Sequence, residues 1–176
     1  MMNKLVSIIE SAQQKLPLEV RNKVKHIPRI MLHPFSLLPI AMQEQSIAFA
    51  VNKMFYQPVE DEELDFLEDK WLAINITDAN YQCFISLTKQ NNAKLEVKKA
   101  IECQPNVEFS ATTHALALLM NKQEDPDTLF FRRDLMVTGD TELGLEIKNL
   151  LDDFDSNNVP ASIQYLLDQY CKCLAL

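Results

Sequence analysis

Glycine is almost missing from this chain: Gly139 and Gly144 are the only two among 176 residues. That excludes glycine-rich phosphate cradles, since neither GxGxxG nor GxxxxGK[ST] can be written. Histidine is scarce as well, with only His26, His33 and His114, which leaves little for a His-rich metal site. Positive charge is in deficit, with 17 basic against 25 acidic residues and a net charge of −8, a poor match for nucleic acid. Long apolar runs are absent too. The most apolar window, Ile30 to Met42, is broken by His33, Pro34, Ser36 and Pro39, and nothing approaches the ~18 residues that a membrane-spanning helix needs. The amphipathic start Met1–Leu16 lacks the apolar core of an export signal. Reduced thiols are therefore expected at Cys83, Cys103, Cys171 and Cys173.

What is present is a core and a charge asymmetry. Hydrophobic residues make up 47% of the chain, enough for a packed domain. Residues 1–35 hold six basic and two acidic residues, a net of +4, and the remainder carries −12. A basic arm of this kind suits an anionic membrane surface, at roughly 1 kcal/mol per Lys or Arg. The alternative is a solvated helical appendage. Glu60, Asp61, Glu62, Glu63, Asp65, Glu68 and Asp69 crowd into one stretch, read as a solvated helix start, or as a docking surface for a basic partner.

The hydrophobic period changes twice. Leu5, Ile8, Ile9, Ala12 and Leu16 follow helical spacing. Ile47, Ala50, Val51, Met54 and Phe55 mark a second helix, expected to close before Pro58, and Leu64 and Leu67 a short one after it. From Trp71 the period is two: Leu72, Ile74, Ile76; then Cys83, Ile85, Leu87; then Leu95, Val97, Ile101. With short Asp/Asn-rich connections this predicts an antiparallel meander with one wet face. Val107 and Phe109 predict a fourth strand after a turn at Gln104–Asn106. A helix follows over His114–Lys122, then a fifth strand with Leu135 and Val137. Helices are expected after Gly139 and from about Pro160 to Leu174, the last striped by Ile163, Leu166, Leu167, Tyr170 and Leu174. The fold class is α+β, a small sheet covered by helices. Three units are expected: an arm over 1–35, a domain over 36–155 and a C-terminal amphipathic helix over 156–176.

Residues 125–147 are the densest signal. Gly139 ends a strand where a left-handed turn is needed. Asp140 is a good N-cap, and Glu142 suits the helix dipole. Gly144 inside the helix costs about 1 kcal/mol against alanine, so close packing on the sheet or room for a ligand should offset it. Leu143, Ile147, Leu150, Leu151 and Phe154 form that helix's apolar face. Arg132 and Arg133 read as a solvated turn or a partner for Asp134, or as contacts for a polar head.

Catalysis is poorly supported. A cysteine nucleophile would need Cys83 or Cys103 to meet His114 across the sheet, and buried structural thiols are the commoner outcome. Cys171 and Cys173 make half a zinc site without a second pair.

Several stretches carry a family resemblance. They are Pro34, Phe35 and Leu37; Glu63-Leu64-Asp65-Phe66-Leu67-Glu68 with Trp71 and Leu72; Asp125 through Phe131 with Arg133; and Gly139 through Gly144 followed by Lys148, Asn149 and Leu150. Together these resemble the sterol carrier protein type 2 (sterol-binding) domain. More narrowly, the chain is similar to bacterial accessory factors of oxygen-independent ubiquinone biosynthesis, over about residues 30–155. The resemblance implies a five-stranded, mainly antiparallel sheet covered by helices that enclose an apolar cavity. It implies lipid binding without catalysis, no cofactor and no metal. The implied cargo is a polyprenyl quinone intermediate or a phospholipid. The implied partners are iron–sulphur hydroxylase proteins of the collagenase-like peptidase family, in the cytoplasm or peripheral at the inner membrane. Phe109, Leu129, Phe130, Leu135, Leu143, Gly144, Ile147 and Leu151 are the candidate lining residues. The alternative is a scaffold with a filled core that binds a protein through the acidic stretch.

Overall fold

A computed structural model describes residues 38–90, 92–155, 158–160 and 163–164. The expected basic arm, most of the expected C-terminal helix, and Cys171 and Cys173 lie outside the described residues. Helix α1 (Ile40–Met54) is followed by α2 (Tyr56–Glu60) and a 3-10 turn (Asp65–Leu67). Three strands come next: β1 (Leu72–Ile76), β2 (Tyr81–Thr88) and β3 (Lys94–Lys98). After them run β4 (Val107–Ala111), α3 (Thr113–Met120), α4 (Pro126–Phe131), β5 (Leu135–Gly139) and α5 (Thr141–Asp153).

The helix starts follow from their first residues. Thr112 accepts from the Ala115 amide at 3.2 Å. Asp125 accepts from the Thr128 amide at 2.8 Å, with Pro126 in the first turn, where its missing N–H costs nothing. Asp140 accepts from the amides of Glu142 and Leu143 at 3.0 and 3.1 Å, so its predicted capping role is observed. Two helical expectations need correction. Helix formation does not stop before Pro58. It pauses at Phe55, and Pro58 sits in the first turn of α2, where proline is tolerated. The acidic stretch is not a helix start. It forms the end of α2, a turn and the 3-10 segment, because Leu64 and Leu67 are both driven into the core and the carboxylates are left outside. Glu62 and Asp69 take positive φ there, 61° and 58°. Lys89 reaches Asp65 at 2.6 Å and Glu68 at 3.4 Å.

The sheet order is β3-β2-β1-β4-β5. Its first three strands are the expected antiparallel meander. β4 does not continue it: the strand crosses to the far side of β1 and pairs with it in parallel, and β5 then pairs antiparallel with β4. Asn106 sets this arrangement. Its amide donates to the Trp71 carbonyl at 2.9 Å, and its side-chain Oδ1 accepts from the Trp71 amide at 2.9 Å, so β1 and β4 start side by side. β3 ends at Lys98, leaving Ile101 in the crossover rather than on the strand. Gly139 closes β5 at φ 102°, where an added Cβ would lie 2.4 Å from the Asn106 carbonyl oxygen. No larger residue fits that approach.

The helices leave the sheet's two faces unlike. Leu72, Ile85, Leu95, Phe109 and Leu135 are buried together in one hydrophobic cluster with Leu129, Leu143 and Ile147. On the other face Asn75 donates to Glu108 Oε1 and to Ser110 Oγ, both at 3.3 Å, a polar ladder across β1 and β4.

Candidate functional site

An apolar cavity of about 170 Å³ lies between the covered sheet face and the helices. Leu72, Ile74, Ile85, Phe109 and Leu135 form its floor. Val51 and Phe55 of α1 form one wall, Leu116, Leu119 and Met120 of α3 another, and Ile147, Leu150 and Leu151 of α5 the third. Asn75 is the one polar residue at its border, and its side chain is spent on the opposite face of the sheet, where it donates to Glu108 and Ser110. Such a space stays dry and takes an apolar guest: an engineered cavity of about 150 Å³ with similar walls binds benzene.

The candidate lining residues divide three ways. Phe109, Leu135, Ile147 and Leu151 border this cavity. Phe130 and Gly144 border a second, open groove of about 620 Å³ on the outside of α4, β5 and α5, which Leu135 also touches. Leu129 and Leu143 border neither. At 1% and 2% exposure they are packed core, the ordinary fate of apolar residues on a helix. The sequence reading missed Val51, Phe55, Leu116, Leu119 and Met120 as cavity walls. The signal for the first two was available, since Val51 and Phe55 stand four residues apart on one face of a recognised helix.

Gly144 is explained by packing. A Cβ there would meet Val137 Cγ1 at 2.8 Å and Val107 Cγ2 at 3.7 Å, so the missing side chain lets α5 lie close on β4 and β5. Arg132 is held by Asp134 at 2.8 Å and by Glu124 at 2.9 Å. Its guanidinium is thus occupied by carboxylates, as the Asp134 reading expected. Arg133 is exposed with φ at 62°.

The titratable groups near the sheet do not form a nucleophilic site. Burial pushes the Cys83 thiol up to about 11, with Lys99 nearby pulling the other way. A thiol protonated at neutral pH is a poor nucleophile. Burial likewise raises Tyr81 to about 12, with smaller contributions from Cys83 and Glu44. The Lys99 ammonium sits 3.3 Å over the Tyr81 ring and donates to the Gln82 carbonyl at 2.7 Å, and desolvation lowers its pKa. Cys103 and His114 are at the surface, whereas Cys83 is buried. No group of three or more His, Cys, Asp or Glu that could hold a metal ion occurs among the described residues.

Helices thus cover one face of a five-stranded mixed sheet and leave a small apolar space beneath them. The chain belongs to the SCP-2 sterol transfer family, whose profile it matches over residues 51–152. Within that family it is 37% identical over 152 residues to the ubiquinone biosynthesis accessory factor UbiT of Escherichia coli strain K12, spanning 86% of this chain and 84% of that protein. The same identity and coverage hold for UbiT of Escherichia coli O157:H7. Among solved structures it is similar to one described as UbiJ-SCP2, a ubiquinone synthesis protein, with a TM-score of 0.52 at 17% identity, covering 64% of this chain and 95% of that one. That likeness is one of fold, a five-stranded mixed sheet with helices. No helix among the described residues is long and apolar enough to cross a membrane.

Proposed function

We propose that this protein is a non-catalytic lipid-binding accessory factor for oxygen-independent ubiquinone biosynthesis. Its cargo is a polyprenylated quinone intermediate, or a phospholipid, held between sheet and helices. The observation that carries this reading is the apolar cavity bordered by Phe109, Leu135, Ile147 and Leu151. The similarity to UbiT along most of the chain supports the pathway. The partners in this account are iron–sulphur proteins that hydroxylate the quinone ring without oxygen. The protein offers them an otherwise insoluble substrate. Work in the cytoplasm, with residues 1–35 resting on an anionic membrane surface, completes the reading and rests on their net charge of +4.

Magnitudes constrain how cargo is held. Removing apolar surface from water is worth about 25 cal/mol per Å², so a buried prenyl chain supplies ample affinity. Pockets for drug-sized ligands run to about 300–1,000 Å³. At about 170 Å³, the cavity admits one ring or one five-carbon unit. A longer chain is held only if the helices over the sheet move apart, and loading should therefore loosen α3 and α5. Organic extraction and mass spectrometry of protein purified without detergent tests the reading. A stoichiometric quinone precursor or phospholipid supports it. An empty extract, repeated after incubation with quinone-loaded vesicles, contradicts it in favour of a scaffold with a filled core.

A further inference from the structure

The interior cavity is closed unevenly. Its floor is paired strand, and on the side of the 3-10 turn it is sealed by Leu64 and Leu67, which are 1% and 2% exposed. It also reaches the C-terminal ends of three helices: Phe55 follows α1, Met120 ends α3, and Leu150 and Leu151 lie in the last turn of α5. A small cluster, separate from the main core, sits on those ends. Met54, Phe154 and Val159 are its buried members, and Phe55, Met120 and Ile163 pack against it. Phe55 and Met120 thus touch both cavity and cluster, and the Phe55 and Phe154 rings lie 5.3 Å apart.

Little holds this cluster down. Helix α5 ends before Phe154, whose backbone is extended at φ −56° and ψ 127°, so Phe154 can move without unwinding the helix. The polar ties are side-chain contacts at the rim. Gln164 donates to Asn121 Oδ1 at 2.6 Å, and Lys122, just after α3, donates to the Asp152 carbonyl in the last turn of α5. The Lys122 contact is exposed to solvent, where a hydrogen bond opens at low cost. Phe154, Val159 and Ile163 also lie outside residues 51–152, the part of the chain that matches the family profile.

Cargo size gives this end a task. A cavity of about 170 Å³ cannot enclose a whole polyprenyl chain, so the rest of the chain must leave through an opening. We propose that the entrance lies where the C-terminal ends of α1, α3 and α5 meet, and that Phe154, Val159 and Ile163 form a plug which an entering apolar chain displaces, with Lys122 and the Asp152 carbonyl as its clasp. The inference rests on the lipid reading and names the path that cargo takes in it. Contacts with the entering chain replace those of the plug, so the open form is favoured only when cargo is bound.

Benzene suits a cavity of this size and reads the entrance independently of any lipid. Its exchange into the full chain is followed by NMR magnetisation transfer, alongside equilibrium binding of a diprenyl benzoquinone. Phe154→Ala and Lys122→Asn should each speed benzene exchange about tenfold. Asparagine is chosen because Lys122 has φ 51°, a conformation that asparagine tolerates. Asp140→Ala, which weakens α5 at its other end, should leave the rate within about twofold of the parent. Circular dichroism checks that each variant folds. If Asp140→Ala speeds exchange as much as Phe154→Ala, guests enter by general loosening and the proposal is overturned. Rates indifferent to both plug variants overturn it too, as does a parent protein that takes up no benzene. Benzene exchange that follows the plug, with no binding of the diprenyl quinone, upholds the entrance and overturns the lipid reading instead.

Discussion

The interior cavity and the outer groove are both apolar, both touch Leu135, and stand on opposite sides of the α5–β5 contact. They differ in what defines them. The cavity is bordered by residues that also hold the fold together: Phe109 is 4% exposed, and Ile147 3%. The groove is rimmed by Asp127, Asp140 and Lys148 and carries exposed phenylalanines. Substitutions in the cavity walls therefore reach the packed core, whereas the exposed phenylalanines of the groove can change without reaching it. An apolar stripe on a helix reports that a face is buried, not whether a void or a packed neighbour lies beneath it.

Substitutions sharpen that contrast. Phe109→Ala should lower unfolding stability by about 3–5 kcal/mol in urea titration, the range for a buried phenylalanine. Gly144→Ala comes next. Its Cβ would press on Val137, a stiff β-branched side chain, and overpacking of this kind costs about 1–3 kcal/mol. Combining it with Val137→Ala should recover most of that loss, a coupling measurable by a double-mutant cycle. Asp140→Ala removes the α5 cap and should cost about 1 kcal/mol. Phe131→Ser at the groove should fall within about 0.5 kcal/mol of the parent protein, as for other surface changes. A large loss there would mean that the exposed groove phenylalanines carry the fold as the cavity walls do. Thiol chemistry gives the last contrast. At pH 8 Cys83 should resist iodoacetamide, because its raised pKa keeps it protonated, and should become reactive only on unfolding or well above pH 10.

The strands and helices of residues 40–153 were largely legible because their apolar periods are clean. Leu72 to Ile76 and Cys83 to Leu87 alternate without interruption, and Asp125 and Asp140 announce the helices that follow. The position of β4 was not legible. Strand alternation says nothing about which neighbour a strand chooses, and the deciding contact is the reciprocal pairing of Asn106 with Trp71, 35 residues apart. The turn at the acidic stretch was obscured for a related reason: seven carboxylates advertise solvent, while Leu64 and Leu67 set the backbone. Among the candidate lining residues, those on β4, β5 and the inner face of α5 reach the cavity. Leu129 and Leu143 have the same chemistry but pack directly on neighbours, a distinction made only in three dimensions.

The proposed place of the cargo is the interior cavity. Its most direct test compares lipid extracted from the parent protein with lipid from Leu116→Trp, which fills the cavity from a partly exposed wall position, and from Phe131→Ser. One lipid per chain is expected in the parent and in Phe131→Ser, with loss of lipid from a folded Leu116→Trp. Equal lipid in all three, or loss only from Phe131→Ser, would contradict it.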